Sequence, residues 1–103
     1  MARVADYQSV ITSTCRALRG AVSSHLRSVQ VEWNDHQIDI YCFFDGPISE
    51  DDEEDMGVAA SEVAADFSGH MVDEHCIRAD YPERIIPTNN DRHIVFLRKE
   101  ASS

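Results

Sequence analysis

Histidine and cysteine side chains are the first candidates for chemistry in this chain, because they ligate transition metals and act as nucleophiles or proton carriers. The closest grouping is His70, His75 and Cys76, with Asp73 and Glu74 between the histidines. If residues 74–80 form a strand, His75 and Cys76 point to opposite faces and do not share a tetrahedral ion. We therefore expect no metal site and no cofactor.

The acidic run over residues 50–55 has the oxygen donors that calcium prefers. In an EF-hand register that starts at Asp51, however, the glycine required at loop position 6 is Met56, and Gly57 comes one place late. No phosphate-binding glycine loop, nucleophile elbow or HExxH zinc motif occurs. Carboxylates that face solvent make poor general acids. The sequence predicts that this protein is not an enzyme.

Two stretches have the apolar spacing of amphipathic helices, and any site must be positioned by them or by the strands between them. In the first, apolar residues recur at helical intervals from Tyr7 to Val22, with Asp6 as the N-cap. The second starts at Ser49, and Asp52 three residues later resembles a capping box. Its core-facing stripe is predicted to consist of Met56, Ala59, Ala60, Val63 and Phe67.

The remaining elements are predicted to be strands. Residues 29–33 and 38–44 alternate between apolar and polar, with a turn at 34–36, which predicts a β-hairpin with one face on the core. Residues 74–80 and 92–98 are predicted as two further strands, joined by a loop over 81–91. The order αββαββ indicates one α+β domain over residues 1–103, a two-layer α/β sandwich. Two helices would cover one face of a four-stranded, mostly antiparallel sheet.

Charge is unevenly distributed along the chain. The net charge is −10, and residues 28–77 contain fourteen acidic residues but no Lys or Arg. This balance argues against direct binding to nucleic acid or to an anionic membrane, because both need clustered cations. It favours a basic protein partner, with solubility alone as the alternative.

Two surfaces are candidates for binding such a partner. Helical spacing puts Asp51, Glu54, Asp55, Glu62 and Asp66 on the outward side of the second helix, and Glu50 begins the acidic run there. The partner-binding candidates on this helix are Glu50, Asp51, Glu54, Asp55 and Glu62. The sheet face opposite the helices should carry Asp39, Tyr41 and Phe43. Asp45, after that strand, and Tyr81, in the later loop, complete the candidate set. For the helix, the alternative is a face that is simply solvated. For Tyr41 and Phe43, the alternatives are ordinary cross-strand pairs or a position under the loop over 81–91.

The expected compartment is the cytoplasm. The first residues lack the basic and apolar regions of a signal peptide. No apolar run approaches the ~20 residues that a membrane span needs. Three cysteines without a C-x-x-C pair are a poor disulfide framework and are typical of a reducing environment.

Four segments carry a resemblance to known proteins: FFDGPISED at 43–51, AASEVAADF at 59–67, IRADYPE at 77–83 and VFLRKE at 95–100. They resemble immunity proteins of contact-dependent growth inhibition (the CdiI type) and of related polymorphic-toxin systems. The resemblance implies a cytoplasmic protein that binds one cognate toxin C-terminal domain, commonly a nuclease or tRNase. It implies that the bound protein blocks the active site or substrate groove, but it identifies no contact residues.

Three hypotheses follow from the sequence. The first is an immunity protein that neutralises a basic toxin domain by occluding it. The second is an acidic adaptor or regulatory subunit, or a nucleic-acid mimic, that binds another basic protein. The third is a small isomerase-like enzyme with residues 81–91 as a lid over a pocket.

Overall fold

The computed structural model describes residues 5–87 and 89–100 of the chain, so the remainder of the predicted 1–103 domain lies outside the described residues. The predicted α+β class and αββαββ order are confirmed. The elements are α1 (Tyr7–Ala17), β1 (Leu26–Trp33), β2 (Gln37–Phe44), α2 (Glu50–Asp66), β3 (Met71–Arg78) and β4 (His93–Leu97). None of the described helices is long and apolar enough to cross a membrane.

The four strands form one mixed sheet in the order β3-β2-β1-β4. β1 pairs antiparallel with both β2 and β4, whereas β2 and β3 are parallel. β2 and β3 are parallel because α2 connects them and brings the chain back to the end of the sheet where β2 begins. Asn34 shapes the β1–β2 turn, where its side-chain oxygen accepts hydrogen bonds from the backbone N–H groups of His36 and Gln37.

The core lies between the sheet and the two helices. β2 alternates as predicted, and its inward side chains are Ile38, Ile40, Cys42 and Phe44. α2 is buried along the predicted stripe of Met56, Ala59, Ala60, Val63 and Phe67. The small alanine side chains let this helix pack closely on the sheet.

The predicted apolar stripe of α1 is partly wrong. Asp6 is the N-cap as expected, since its side chain accepts a hydrogen bond from the Ser9 N–H. Ser13 and Thr14 are buried, however, while three members of the predicted stripe are exposed: Tyr7, Cys15 and Val22. Burial of these hydroxyls costs little because the Thr14 hydroxyl donates to the Val10 carbonyl and the Ser13 hydroxyl donates to Asp66.

β1 is buried on both faces along most of its length. One face meets the helices, and the loop segment 79–87 covers the other. The Gln30 side chain donates to the Ile85 carbonyl at 2.6 Å, and Arg27 donates to the carbonyls of Ala79 and Glu83. The uncovered part of the face opposite the helices, which we call the open face, is therefore centred on β2 and β3.

Candidate functional site

Six acidic side chains form an exposed surface on α2, which we call the helix patch. Its members are Glu50, Asp51, Glu53, Glu54, Asp55 and Glu62. The helix dipole stabilises the acids of the first turn, but Asp55 and Glu62 lie beyond it. Among the described residues, no Arg, Lys or His forms an ion pair with any member of the patch. The patch therefore presents uncompensated negative charge to solvent.

Asp52 belongs to the same acidic run but not to the patch. It completes the predicted capping box with Ser49, is buried, and its carboxylate lies 2.6 Å from Nε2 of His25. Burial opposes ionisation of this carboxyl, but hydrogen bonds from the Ser49 backbone N–H and from His25 outweigh it and lower its pKa. Asp52 thus serves helix formation and not the surface.

Several carboxylates of residues 28–77, the segment without Lys or Arg, form ion pairs with arginines from other parts of the chain. The pairs are Glu32 with Arg92 at 2.7 Å, Asp45 with Arg98 at 3.2 Å and Asp66 with Arg16 at 3.8 Å. The segregation of charge along the sequence is therefore partly undone by the fold. What remains uncompensated is concentrated on α2 and along β3.

Three flat side chains are stacked on the open face, and we call them the stacked row: Arg92, Tyr41 and His75. The guanidinium carbon of Arg92 lies 3.7 Å from the ring centre of Tyr41. On its other side, Tyr41 stacks on His75 with ring centres 4.8 Å apart and planes inclined by 20°. Tyr41 therefore lies on the sheet face where the alternation of β2 placed it. A cation over an aromatic face is stabilised by the ring quadrupole.

Carboxylates fix the two ends of the stacked row. Glu32 accepts hydrogen bonds from Nη2 and Nε of Arg92 at 2.7 and 3.0 Å. Asp39 lies 3.0 Å from Nε2 of His75. Burial raises the pKa of the Tyr41 phenol, and the negative charges of Glu32 and Asp39 raise it further against the opposing effect of Arg92. Tyr41 therefore stays neutral at physiological pH.

Apolar and acidic side chains border this row. The register of β3 on β2 places Met71, Asp73, His75 and Ile77 on the open face. Met71 is 67% exposed and Ile77 is 36% exposed. Gln37 links the carboxylates of Asp39 and Asp73, at 3.2 and 2.8 Å. Half-buried Phe43 lies on the same face, so aromatic anchors and a polar rim occur together, as in protein interfaces.

Asp45 and Tyr81 meet at one end of the sheet. The Tyr81 N–H donates to Oδ1 of Asp45 at 3.2 Å, and Arg98 donates to the other carboxylate oxygen. The guanidinium carbon of Arg27 also lies 5.6 Å from the ring centre of Tyr81. A groove of about 580 Å³ opens beside it, lined in part by Tyr81, Pro82, Ile86 and Leu97. Through these contacts, Asp45 and Tyr81 hold the loop segment 79–87 against the end of the sheet.

The structure distributes the ten predicted site residues over three regions. Asp39, Tyr41 and Phe43 lie on the open face, Asp45 and Tyr81 lie at the end of the sheet, and five acids lie on α2: Glu50, Asp51, Glu54, Asp55 and Glu62. The sheet separates the first region from the last. Sequence reasoning missed Arg92 and treated His75 as a metal candidate, because only strand pairing brings both to Tyr41.

His75 and Cys76, two of the candidate metal ligands in the sequence, lie on opposite faces of β3. Within 5–87 and 89–100, no group of three or more His, Cys, Asp or Glu side chains is arranged to hold a metal ion. His75 lies on the open face with Tyr41, whereas Cys76 lies beside Cys42 on the helix side. Their separation agrees with the expected alternation of the strand.

A comparison with curated proteins found no match. A comparison with protein-family models matched residues 7–100 to the model described as MafI2 immunity protein. The matched region contains both helices and all four strands. The match supports the broader part of the resemblance, an immunity protein of a polymorphic-toxin system, while the CdiI type stays a prediction. This chain therefore belongs to the MafI2 immunity protein family.

Proposed function

We propose that this protein neutralises one cognate toxin C-terminal domain by covering its active site or substrate groove, and that this domain is basic, as a nuclease or tRNase would be. Membership of an immunity family supports a toxin as the partner. The observation that carries the basic character of the toxin is the helix patch, whose six exposed carboxylates have no cationic partner within the described chain.

Charge complementarity explains why a nuclease domain would fit this surface. Enzymes that hold a nucleic-acid backbone line their substrate groove with Lys and Arg. Carboxylates at the spacing of a helix face can occupy positions that phosphates would otherwise take. Complementary charge also raises association rates, up to ~10⁸–10⁹ M⁻¹s⁻¹ at low salt. Fast capture suits an inhibitor that must act before the toxin does.

Charge alone does not distinguish one basic toxin from another. The stacked row and its apolar border supply the shape and aromatic surface that specificity needs. In this proposal the helix patch accelerates encounter, and the open face provides anchors that select the cognate domain.

The direct test uses the toxin domain encoded beside the gene for this protein. The two purified proteins should form a complex at equimolar ratio, and the complex should lack the RNase or DNase activity of the free toxin domain. A toxin domain from a different system, of similar net charge, serves as the control and should remain active. Failure to bind or inhibit the neighbouring toxin would contradict the proposal. An inhibited toxin that acts on something other than nucleic acid would remove only the nuclease part.

A further inference from the structure

The backbone polar groups of β3 fall into two alternating sets. The Met71 N–H donates to the His36 carbonyl at 2.9 Å, and the Ala79 N–H donates to the Phe44 carbonyl at 2.8 Å. These bonds lie at the two ends of the parallel ladder. In a parallel ladder, every second residue of an edge strand bonds to the neighbouring strand. Residues 73, 75 and 77 alternate in step with Met71 and Ala79, so their N–H and C=O groups also point toward β2. The N–H and C=O groups of Val72, Glu74 and Cys76 therefore point away from the sheet.

This outer edge of β3 is long and regular, and no other described strand pairs with it. β3 is the last strand of the sheet, and β2 is its sole partner strand among the described residues. Its ladder runs without a bulge through eight residue pairs. The opposite edge differs, since β4 has five residues and its register on β1 shifts between Val29 and Gln30. Bulges and short strands protect an edge from pairing, and β3 has neither.

Negative charge lies on both sides of the β3 edge. Asp73 projects on the open face. Glu74 projects on the helix side, where its carboxylate lies beside Gly57 of α2. Both are exposed, and no Arg, Lys or His of the described chain forms an ion pair with either. Glu53 lies on the same side as Glu74, close enough for both charges to act on Cys76. Met71 and Ile77 provide exposed apolar surface on the open face.

We propose that the outer edge of β3 accepts an extended segment of the cognate toxin domain as a fifth strand of the sheet. The added strand would satisfy the outward N–H and C=O groups of Val72, Glu74 and Cys76. Its side chains would alternate, with Lys or Arg on the side of Glu74 and apolar residues beside Met71 and Ile77. The inference depends on the proposed function, because it takes the toxin domain as its partner.

A second copy of this chain is a poor occupant of the same edge. Two β3 strands that paired about a two-fold axis would bring the carboxylates of Asp73 and Glu74 close to those of the partner strand. Like charges opposite each other destabilise such a pair, whereas a basic strand is attracted. We expect the free protein to be monomeric by light scattering. If the free protein is instead a dimer, and if replacing Glu74 by proline (E74P) abolishes that dimer, the assignment of the edge to the toxin is wrong.

The test compares Glu74→Pro with Glu74→Ala. Both variants lose the same carboxylate, but only proline also removes the outward N–H. Proline is tolerated on edge strands whose N–H faces solvent, so pairing with β2 should persist. We expect E74P to bind the toxin domain about tenfold to a hundredfold more weakly than E74A. This loss corresponds to one missing interfacial hydrogen bond together with steric exclusion of the added strand by the proline ring. Equal affinity of the two variants would overturn the inference.

Amide hydrogen exchange of the wild-type protein tests the same point without substitution. In the free protein, the outward amides of Val72, Glu74 and Cys76 should exchange much faster than those of Asp73 and His75. Binding of the toxin domain should slow the outward set. If the complex forms and the toxin is inhibited but these amides do not slow, the edge inference is wrong and the proposed function stands. If the wild-type protein does not bind the toxin, the proposed function fails with it.

Discussion

The guanidinium of Arg27 and the carboxylate of Glu100 form a two-point ion pair that joins β1 to the segment after β4. Nε of Arg27 lies 2.6 Å from Oε2 of Glu100, and Nη2 lies 2.9 Å from Oε1. Nη1 of the same arginine donates to the carbonyls of Ala79 and Glu83, at 2.6 and 2.9 Å. One buried side chain thus ties the loop segment 79–87 and the end of the described chain to the sheet.

Loss of Arg27 should destabilise the protein through this network. Arg27→Met keeps the apolar stem but leaves the carbonyls of Ala79 and Glu83 without this donor and leaves Glu100 with Arg98 as its remaining cationic partner among the described residues. We expect the free energy of unfolding in urea to fall by about 3 kcal/mol. Arg84→Met, at an exposed position of the same loop segment, should change it by less than about 0.5 kcal/mol. An Arg27→Met variant as stable as Arg84→Met would show that the network contributes little.

The contribution of Glu100 should depend on pH. The hydrogen bond from Arg27 lowers the pKa of Glu100 from its ordinary 4.5 to about 2; burial opposes this shift and a hydrogen bond from Arg98 adds to it. A lowered pKa in the folded state means that the stabilisation is complete above pH 4.5 and is lost as the pH falls toward 2. The unfolding free energy of wild type should therefore exceed that of Glu100→Gln most at about pH 7 and less at about pH 3.

The control for this titration is Glu54→Gln, which removes an exposed carboxylate of α2. At each pH, Glu100→Gln is compared with this control as well as with wild type. A Glu100→Gln difference that is the same at both pH values would contradict the depressed pKa of Glu100.

Neutralising the helix patch should slow toxin association. The variant Glu54→Gln/Asp55→Asn/Glu62→Gln removes three charges from the patch. The control Asp35→Asn/Glu83→Gln/Asp91→Asn removes three exposed charges elsewhere, so both proteins have the same net charge. In stopped-flow mixing with the toxin domain, we expect the first variant to associate about tenfold more slowly at low salt and to show a weaker salt dependence. Identical kinetics of the two variants would remove the patch from the encounter surface.

The stacked row should contribute to affinity rather than to association rate. Tyr41→Ala removes the ring between Arg92 and His75, whereas Tyr41→Phe keeps it. We expect Tyr41→Ala to raise the Kd for the toxin domain by about thirtyfold or more, mainly through faster dissociation, as for an aromatic anchor. Tyr41→Phe should stay within about threefold of wild type.

Tyr7→Ala is the matched control for the row, because Tyr7 is an exposed aromatic on α1 that contacts Trp33 and His93. It should leave the Kd unchanged. Similar losses in Tyr41→Ala and Tyr7→Ala would indicate a general loss of folding and would contradict a specific role for the open face.

Local patterns were sufficient to predict much of this architecture. The strict alternation of β2 identified its buried side and placed Asp39 and Tyr41 on the opposite face, as the structure confirms. Ser49 and Asp52 predicted the start of α2 because a capping box depends on only four consecutive residues. α1 was less well predicted, since hydroxyl groups that find local acceptors can replace apolar side chains in a buried stripe.

Pairing across the chain was decided by the tertiary structure. Nothing in the alternation of residues 71–78 states that β3 lies parallel to β2, yet that register alone sets His75 against Tyr41 and leaves the β3 edge open. Arg92 and Glu32 meet across 60 residues, and Arg27 and Glu100 across 73. Periodicity and capping are encoded within a few neighbouring residues, so the sequence by itself determines which elements form and, for β2 and α2, which side is buried. The choice of partners depends on the packing of the whole core, and only the folded chain resolves it.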